Sequence, residues 1–459
     1  MKFKFKKLGL LDDTTLELAD FTLICGENNT GKTYATYAVY GFLKTAQQLF
    51  STVIKEDLEK ELIFSTDTHR YSIDLKKLFV GKINHYLARM VVEYKKLLPF
   101  IFSTHIGFFA NSELDIELLD ENNFIDKGYS LNFLIRELGI VLSKTPKKEF
   151  LDLYAPIEQD SFHQIKFLYD LVADAIFEIV FADYFPKIHI ASAERTGVAV
   201  FKDKLNVDAL IHKSPLQGLS LAHQLDENFN FDIGLQSNIT DYALPVYENI
   251  NYMKFLGRLS KNKSWLLENH PEIIEAFEEV AGGSYQVDNQ LGLFFQTKNG
   301  RFALNQSSSC VKALLDINFY LRCQAQKSDL LILDEPELNL HPKNQRAFAR
   351  LLARLVNMGI KVLVTTHSDY LIKELNTLIM LGQKTEHTTK MQERYKYDEQ
   401  ELLKPAQIHL YTTKPQSKSK KNYILKLAKI YADRGIEVDT FDNTIDEMNK
   451  IQDAIFFGE

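Results

Sequence analysis

Residues 17–41 read ELADFTLICGENNTGKTYATYAVYG. The run Phe21-Thr22-Leu23-Ile24-Cys25 is short and apolar, as a buried strand is. It passes directly into Gly26-Glu27-Asn28-Asn29-Thr30-Gly31-Lys32-Thr33, which fits G-x-x-x-x-G-K-[ST], and a helical pattern follows from Tyr34. Strand, glycine loop and helix in this order let backbone N–H groups turn inward on a phosphate while the helix dipole adds its positive end. The spacing predicts a nucleotide loop formed by Gly26, Asn28, Asn29, Thr30 and Gly31. Lys32 is expected to reach the β and γ phosphates of ATP and the Thr33 hydroxyl to ligate Mg²⁺. The alternative is an ordinary strand–helix loop with no ligand.

Far downstream, residues 329–336 read DLLILDEP. A continuous apolar run suits a parallel strand covered on both faces. Two carboxylates at its end fit a Walker B motif, with Asp334 in the Mg²⁺ shell and Glu335 polarising the attacking water as general base or water-positioner. The plainer reading is a buried strand with a solvated acidic end. Residues 360–366, IKVLVTT, form another apolar run that ends in His367-Ser368. A histidine after a strand is commonly structural. After two nucleotide motifs in this order, His367 resembles the switch histidine of ABC-type ATPases, which contacts the γ-phosphate.

At 459 residues the length allows two or three domains, and 45% hydrophobic content allows a large core. No apolar stretch approaches the ~18–20 residues of a membrane span. The start, MKFKFKK, alternates apolar and basic residues, which is strand periodicity and not a secretory leader. Cys25, Cys310 and Cys323 have neither metal nor disulfide spacing, so a reducing cytoplasm is expected. The net charge of −7 argues against a bulk polyanion binder, though a local basic groove stays possible for DNA.

Taken in order, residues 1–50 read as the first part of an α/β head. They comprise two or three strands, a turn near Gly9 to Asp13, the glycine loop, and an amphipathic helix over 34–50. Residues 51–185 are charged and read as a helical insertion, serving as packing scaffold or as a partner surface. Residues 186–201 hold a short strand followed by SAERTG, where Arg195 could reach a nucleotide or a subunit interface, or pair structurally with Glu194. Residues 202–280, including the turn-rich 241–245 and the sole tryptophan, Trp265, read as a second helical part of the insertion. From 281 to 459 the head resumes. It opens with a meander over 284–304 with turns at 288–289 and 299–300, and the segment NQSSSCVK follows before a helix. Ser308 there is either an ordinary N-cap or a donor to a γ-phosphate held by another subunit. His341 is a subunit contact or a helix cap. Residues 383–404 read as an exposed connection. The tail reads as a strand, a loop carrying Lys414, Lys418, Lys420 and Lys421, a helix, and a strand–helix unit.

The succession GENNTGKT, long insertion, SAERTG, SSSCVK, LLILDEPELNLHP and VLVTTHS resembles the AAA15/OLD-type ABC-class ATPases of bacterial antiphage defence, related to the heads of SMC and recombination-repair proteins. Within that class it resembles the AriA-type ATPases of PARIS systems or the PtuA-type ATPases of Septu systems. The resemblance implies an α/β, ABC/SMC-head-type P-loop fold split by the insertion. It further implies head-to-tail dimers around ATP and Mg²⁺, with catalytic Lys32, Glu335 and His367, and Ser308 supplied in trans. It also implies a sensor or scaffold for a separate effector, a nuclease or toxin, since the tail carries Asp439 and Asp442 without the Asp-x-Asp of a fused nuclease. The signature segment departs from the family pattern: its glycines are missing and Cys310 replaces one, which points to slow hydrolysis. The alternative is a repair-type ATPase acting directly on DNA. A transport ATPase fits least, because the insertion is long and LSGGQ is absent.

Overall fold

The two apolar runs that bear the motifs, Phe21–Cys25 and Leu330–Asp334, are buried along their whole length. They lie in a six-stranded sheet of order Tyr423–Leu427, Ile408–Pro415, Phe21–Cys25, Lys361–Thr366, Leu330–Asp334, Ile188–Ala191. All neighbours are parallel except the first pair. Register places Thr366 beside Cys25, Thr365 beside Asp334, and Leu333 beside Ala191. The carboxyl ends of these strands therefore line up on one edge, and residues 26, 192, 335 and 367 leave the sheet side by side. This computed structural model describes residues 1–62, 69–118, 123–135, 138–156, 162–201, 242–288, 292–417, 421–437 and 442–457.

The helix after the glycine loop spans Lys32–Glu61, and every residue from Ala35 to Leu43 is buried. Its first half is therefore a central helix covered on all sides, where the sequence suggests an amphipathic one. It also runs through the boundary expected at 50/51. Val53, Ile54 and Leu58 continue its apolar spacing, and no glycine or proline interrupts it after Gly41. The helices Ile83–Ile101 and Phe162–Phe181 pack on it. Gly41 allows the first of these to come close: a Cβ there would meet Tyr94 Oη at 2.6 Å. Tyr94 in turn donates to Ala38 O at 2.7 Å.

The stretch 51–185 is helical over Leu75–Phe79, Ile83–Ile101 and Phe162–Phe181, but not throughout. It contains a four-stranded antiparallel sheet of order Arg70–Asp74, Phe150–Tyr154, Leu138–Lys144, Tyr129–Ile135. The twofold alternation of Phe-Leu-Asp-Leu-Tyr over Phe150–Tyr154, with Leu151 and Leu153 buried, is the strand signal that the charge of the region obscures. A further strand, Glu113–Glu117, joins the amino-terminal hairpin of Lys2–Lys6 and Thr14–Glu17, where Lys4 pairs with Asp115 and Glu117. The insertion is thereby stitched to the head.

Of the segment read as helical over 202–280, residues 202–241 lie outside the described residues. The remainder forms helices Leu244–Leu259, Trp265–Asn269 and Pro271–Ala281. The meander consists of Ser284–Asp288, Gly292–Thr297 and Gly300–Ala303; Asn289 of its first turn lies outside the described residues, as do Lys418, Lys420 and Asp439. Residues 383–404 are more than an exposed connection. They include helix Glu386–Tyr395 and the buried Glu401, which takes Arg350 and Arg354 at 2.7 Å each. The first helix expected in the tail is instead the strand Tyr423–Leu427, because Ile408–Pro415 offers it an antiparallel partner.

Gly26 shows how tightly this edge is built. Its φ is 148°, and a Cβ would fall 1.8 Å from Thr413 Oγ1, on the neighbouring strand Ile408–Pro415. Gly26→Ala should destabilise the protein by about 1–3 kcal/mol through overpacking. Thr413→Ala, which removes the clashing hydroxyl, should restore part of that loss in the double variant. Equal midpoints of chemical unfolding for the wild type and Gly26→Ala would refute this.

Candidate functional site

Gly31, at φ 98°, caps helix Lys32–Glu61, and no side chain accepts from the helix's first N–H groups. The first turn carries no acidic residue. A helix start with open N–H groups and its positive dipole end is an anion site by construction. Asn28 and Asn29 are exposed, Asn29 at φ 59°, whereas Thr30 is buried and held by Glu27 O and Thr413 Oγ1 at 2.8 Å each. The Lys32 ammonium donates to Gly26 O at 3.1 Å and Glu27 O at 2.8 Å, which arches the loop over it. Burial pushes its pKa down, while Glu335, Asp334 and Glu337 act to hold the proton on. Thr33 is exposed at the mouth of the loop.

Asp334 is buried and takes a short hydrogen bond from Thr365 Oγ1. Burial raises its pKa to about 6, with Glu335 and Glu194 adding repulsion. Glu335 has the opposite fate. His367 Nε2 lies 3.0 Å from its Oε1, and this hydrogen bond, foremost, holds Glu335 below the usual carboxylate range. An ionised carboxylate only accepts, so the imidazole must donate here. Glu335 also adopts φ 49°, a left-handed conformation that costs a non-glycine residue on the order of 1–3 kcal/mol. Its N–H is fastened to Thr365 O and Oγ1, each at 3.1 Å.

The structure thus brings residues 26–33, Asp334, Glu335 and His367 to one sheet edge. Ser308 makes its contacts within its own helix: it is the exposed N-cap of Ser309–Cys323 and accepts from Val311 N at 3.4 Å. His341 likewise caps Pro342–Asn357, accepting from Lys343 N at 3.2 Å. Glu194 and Arg195 do not form the pair the sequence allowed. Glu194 accepts from Tyr37 Oη at 3.3 Å, one helical turn past Thr33 on the same face. Arg195 is 1% exposed and donates to the carbonyls of Ser192, Ala313, Asp334 and Glu335.

Several residues at this edge have no motif of their own. Glu337 accepts from Thr366 Oγ1 at 2.8 Å and His367 N at 2.6 Å, and so fixes the turn that presents His367. Its other oxygen is buried without a partner. Thr365 and Thr413 act through the neighbouring strands. The acidic run 334–337 and the paired threonines at a strand end were the only sequence hints of these roles.

The donors available to a cation are all oxygens, the Thr33 hydroxyl and the Asp334 carboxylate, which is the hard set that Mg²⁺ prefers. Burial keeps the Asp334 carboxylate out of water and one Glu337 oxygen has no partner, both of which a cation would relieve, so the residues fit the ion. Among the described residues, no cluster of three or more histidine, cysteine or acidic side chains offers a self-sufficient metal site, and no helix is long and apolar enough to cross a membrane.

The family AAA_15, described as an AAA ATPase domain, matches residues 1–372. No curated protein matches the chain. Among solved structures, the SMC head domain from Thermotoga maritima is 10% identical, with 94% of this chain and 98% of that one covered and a TM-score of 0.30. An SMC head bound to the C-winged helix domain of ScpA is 12% identical, covering 93% and 96% at a TM-score of 0.34. An Smc head with an extended coiled coil, bound to the C-terminal domain of ScpA derived from Pyrococcus furiosus, is 13% identical, covering 98% of each chain at a TM-score of 0.34.

The Asp334 carboxyl has a sharp consequence for stability. Its folded pKa of about 6 lies above the ordinary 3.8, so between these values the folded state binds more protons and stability falls as pH rises. Asp334→Asn should therefore stabilise the ligand-free protein by up to about 3 kcal/mol above pH 6. The gain should vanish below about pH 4. Denaturant unfolding of both proteins across that range measures it; a variant less stable than wild type at pH 7.5 would contradict the assignment.

Proposed function

The chain belongs to the AAA ATPase domain family AAA_15, and from that premise we propose an ABC-class switch ATPase. In this reading it binds ATP with Mg²⁺, hydrolyses it slowly, and in its two nucleotide states holds or releases a separate nuclease or toxin in antiphage defence. The observation that carries the ATPase part is the Glu335–His367 contact at 3.0 Å, on the same sheet edge as the open helix start and Lys32. The sensor part rests on the resemblance of the motif series and on the acidic balance, −7, which favours a protein partner over plain DNA.

The triphosphate occupies the N–H groups of residues 26–33, and Lys32 exchanges its carbonyl contacts for phosphate oxygens. Thr33 and Asp334 would hold Mg²⁺, which would supply neutralisation of phosphate charge when bound. Glu335 stays ionised at neutral pH and orients the water by accepting its proton-bearing edge. His367 keeps that carboxylate aligned. Arg195 has its donors committed to carbonyls and cannot neutralise the transferring phosphoryl group. The transition-state charge is therefore poorly served by one copy. Ser308 of a second copy, docked head to tail, completes the site, which makes hydrolysis depend on assembly.

Lys32→Ala should abolish nucleotide binding by calorimetry; unchanged affinity would remove the loop from the proposal. Glu335→Gln should bind ATP and trap the closed assembly, with turnover reduced about 10²–10⁴-fold. Tagged Glu335→Gln protein recovered from its host in ATP and Mg²⁺ tests the output. A stoichiometric protein of nuclease or toxin type supports the sensor reading. Nuclease-sensitive DNA without such a protein favours a repair-type ATPase.

A further inference from the structure

Arg195 is among the largest fully buried side chains of the described residues, at 1% exposure, and its hydrogen bonds run to backbone carbonyls. Nε reaches Ala313 O at 2.9 Å. Nη1 reaches Ser192 O at 2.9 Å and Asp334 O at 2.7 Å. Nη2 reaches Glu335 O at 2.9 Å. A buried guanidinium is costly to desolvate, and side-chain packing alone does not require it. Its acceptors show what it gains: one rigid fork joins the end of strand Ile188–Ala191, the helix Ser309–Cys323 and the turn that carries Glu335.

The pair of carbonyls at Asp334 and Glu335 is the telling part. These belong to the two peptide planes on either side of the Glu335 Cα, so gripping both fixes that residue's φ and ψ together. Glu335 is a non-glycine residue at φ 49°, a conformation that needs outside support. A further acceptor, Ala313 O, lies in the helix whose exposed N-cap is Ser308. Helix Arg195–Phe201, which begins at Arg195, packs directly on that same helix.

We propose that Arg195 is a positioning residue through which helix Ser309–Cys323 controls the posture of Glu335. A body docking on the Ser308 end displaces the helix. Ala313 O moves with it, and the planar guanidinium passes that movement to both peptides flanking Glu335. Occupancy at the Ser308 end of the helix is thus converted into alignment of the carboxylate, through the carbonyl of Ala313 little more than one turn along. This rests on the reading of Glu335 and Ser308 given under Proposed function.

Arg195→Lys is the test. Lysine keeps the charge but has a single nitrogen that cannot span Ala313 O and both peptides of the turn. ATP affinity should stay within about threefold, while kcat at saturating ATP falls about 10²-fold, the scale of an ångström misplacement of a reacting group. In the same protein, amide exchange over residues 333–340 should quicken while that over 18–34 stays as in wild type. A lowered melting temperature with unchanged kcat would reduce Arg195 to a packing role and overturn the proposal, as would a parallel loss of affinity and kcat. If Arg195→Lys does not fold, wild-type protein is compared with and without a non-hydrolysable ATP analogue and Mg²⁺. Joint protection of 309–316 and 333–340 supports the linkage, and protection of either alone refutes it. Glu335→Gln is run alongside: undiminished turnover there would sink the role of Glu335 itself, while the exchange data would still judge Arg195.

Discussion

Parallel register in the central sheet is the constraint on which the rest depends. Hydrogen bonds pair Thr366 with Cys25 and Thr365 with Asp334, so chain segments more than three hundred residues apart end at the same height. The side chains that follow those ends, Lys32, Glu335 and His367, meet for that reason alone. Continuous apolar strands allow the register because both faces are covered, by the central helix Lys32–Glu61 and by the helices that follow the later strands.

Charge at this edge is arranged against the ligand-free state. Asp334 is pushed up to about 6 by burial, Lys32 is pushed down, and one oxygen of Glu337 has no partner. Glu335 alone is held below its ordinary range, by His367. A divalent cation and a polyanion entering together would resolve all three mismatches, which is the electrostatic form of a site prepared for a metal–nucleotide pair. The adjacent acids Asp334 and Glu335 thereby differ in proton affinity because burial outweighs the Thr365 hydrogen bond at the first, whereas the His367 hydrogen bond outweighs burial at the second.

The same economy of placement links distant parts of the chain. The central helix supplies Lys32 at its start and the platform for Ile83–Ile101 and Phe162–Phe181 farther along. Strand Glu113–Glu117 of the insertion pairs with the first strand of the chain. The glycine loop and the inserted lobe are thus both anchored on one helix.

The amino-acid sequence by itself determined the glycine loop, the acidic strand end, the strand before His367 and their order, because each is a local pattern whose chemistry is carried by neighbours in the chain. It also pointed to Ser308 and His341 as helix caps, one of the two roles each allowed. It did not determine the sheet in 51–185, where alternation was masked by charge, nor the strand Tyr423–Leu427, which exists because Ile408–Pro415 pairs with it. The role of Arg195 was equally out of reach. Its acceptors are carbonyls from positions 192, 313, 334 and 335, and a carbonyl leaves no trace in residue identity. Local patterns are written in side chains, whereas register and backbone contacts arise only when the chain closes on itself, and these were left to the tertiary structure.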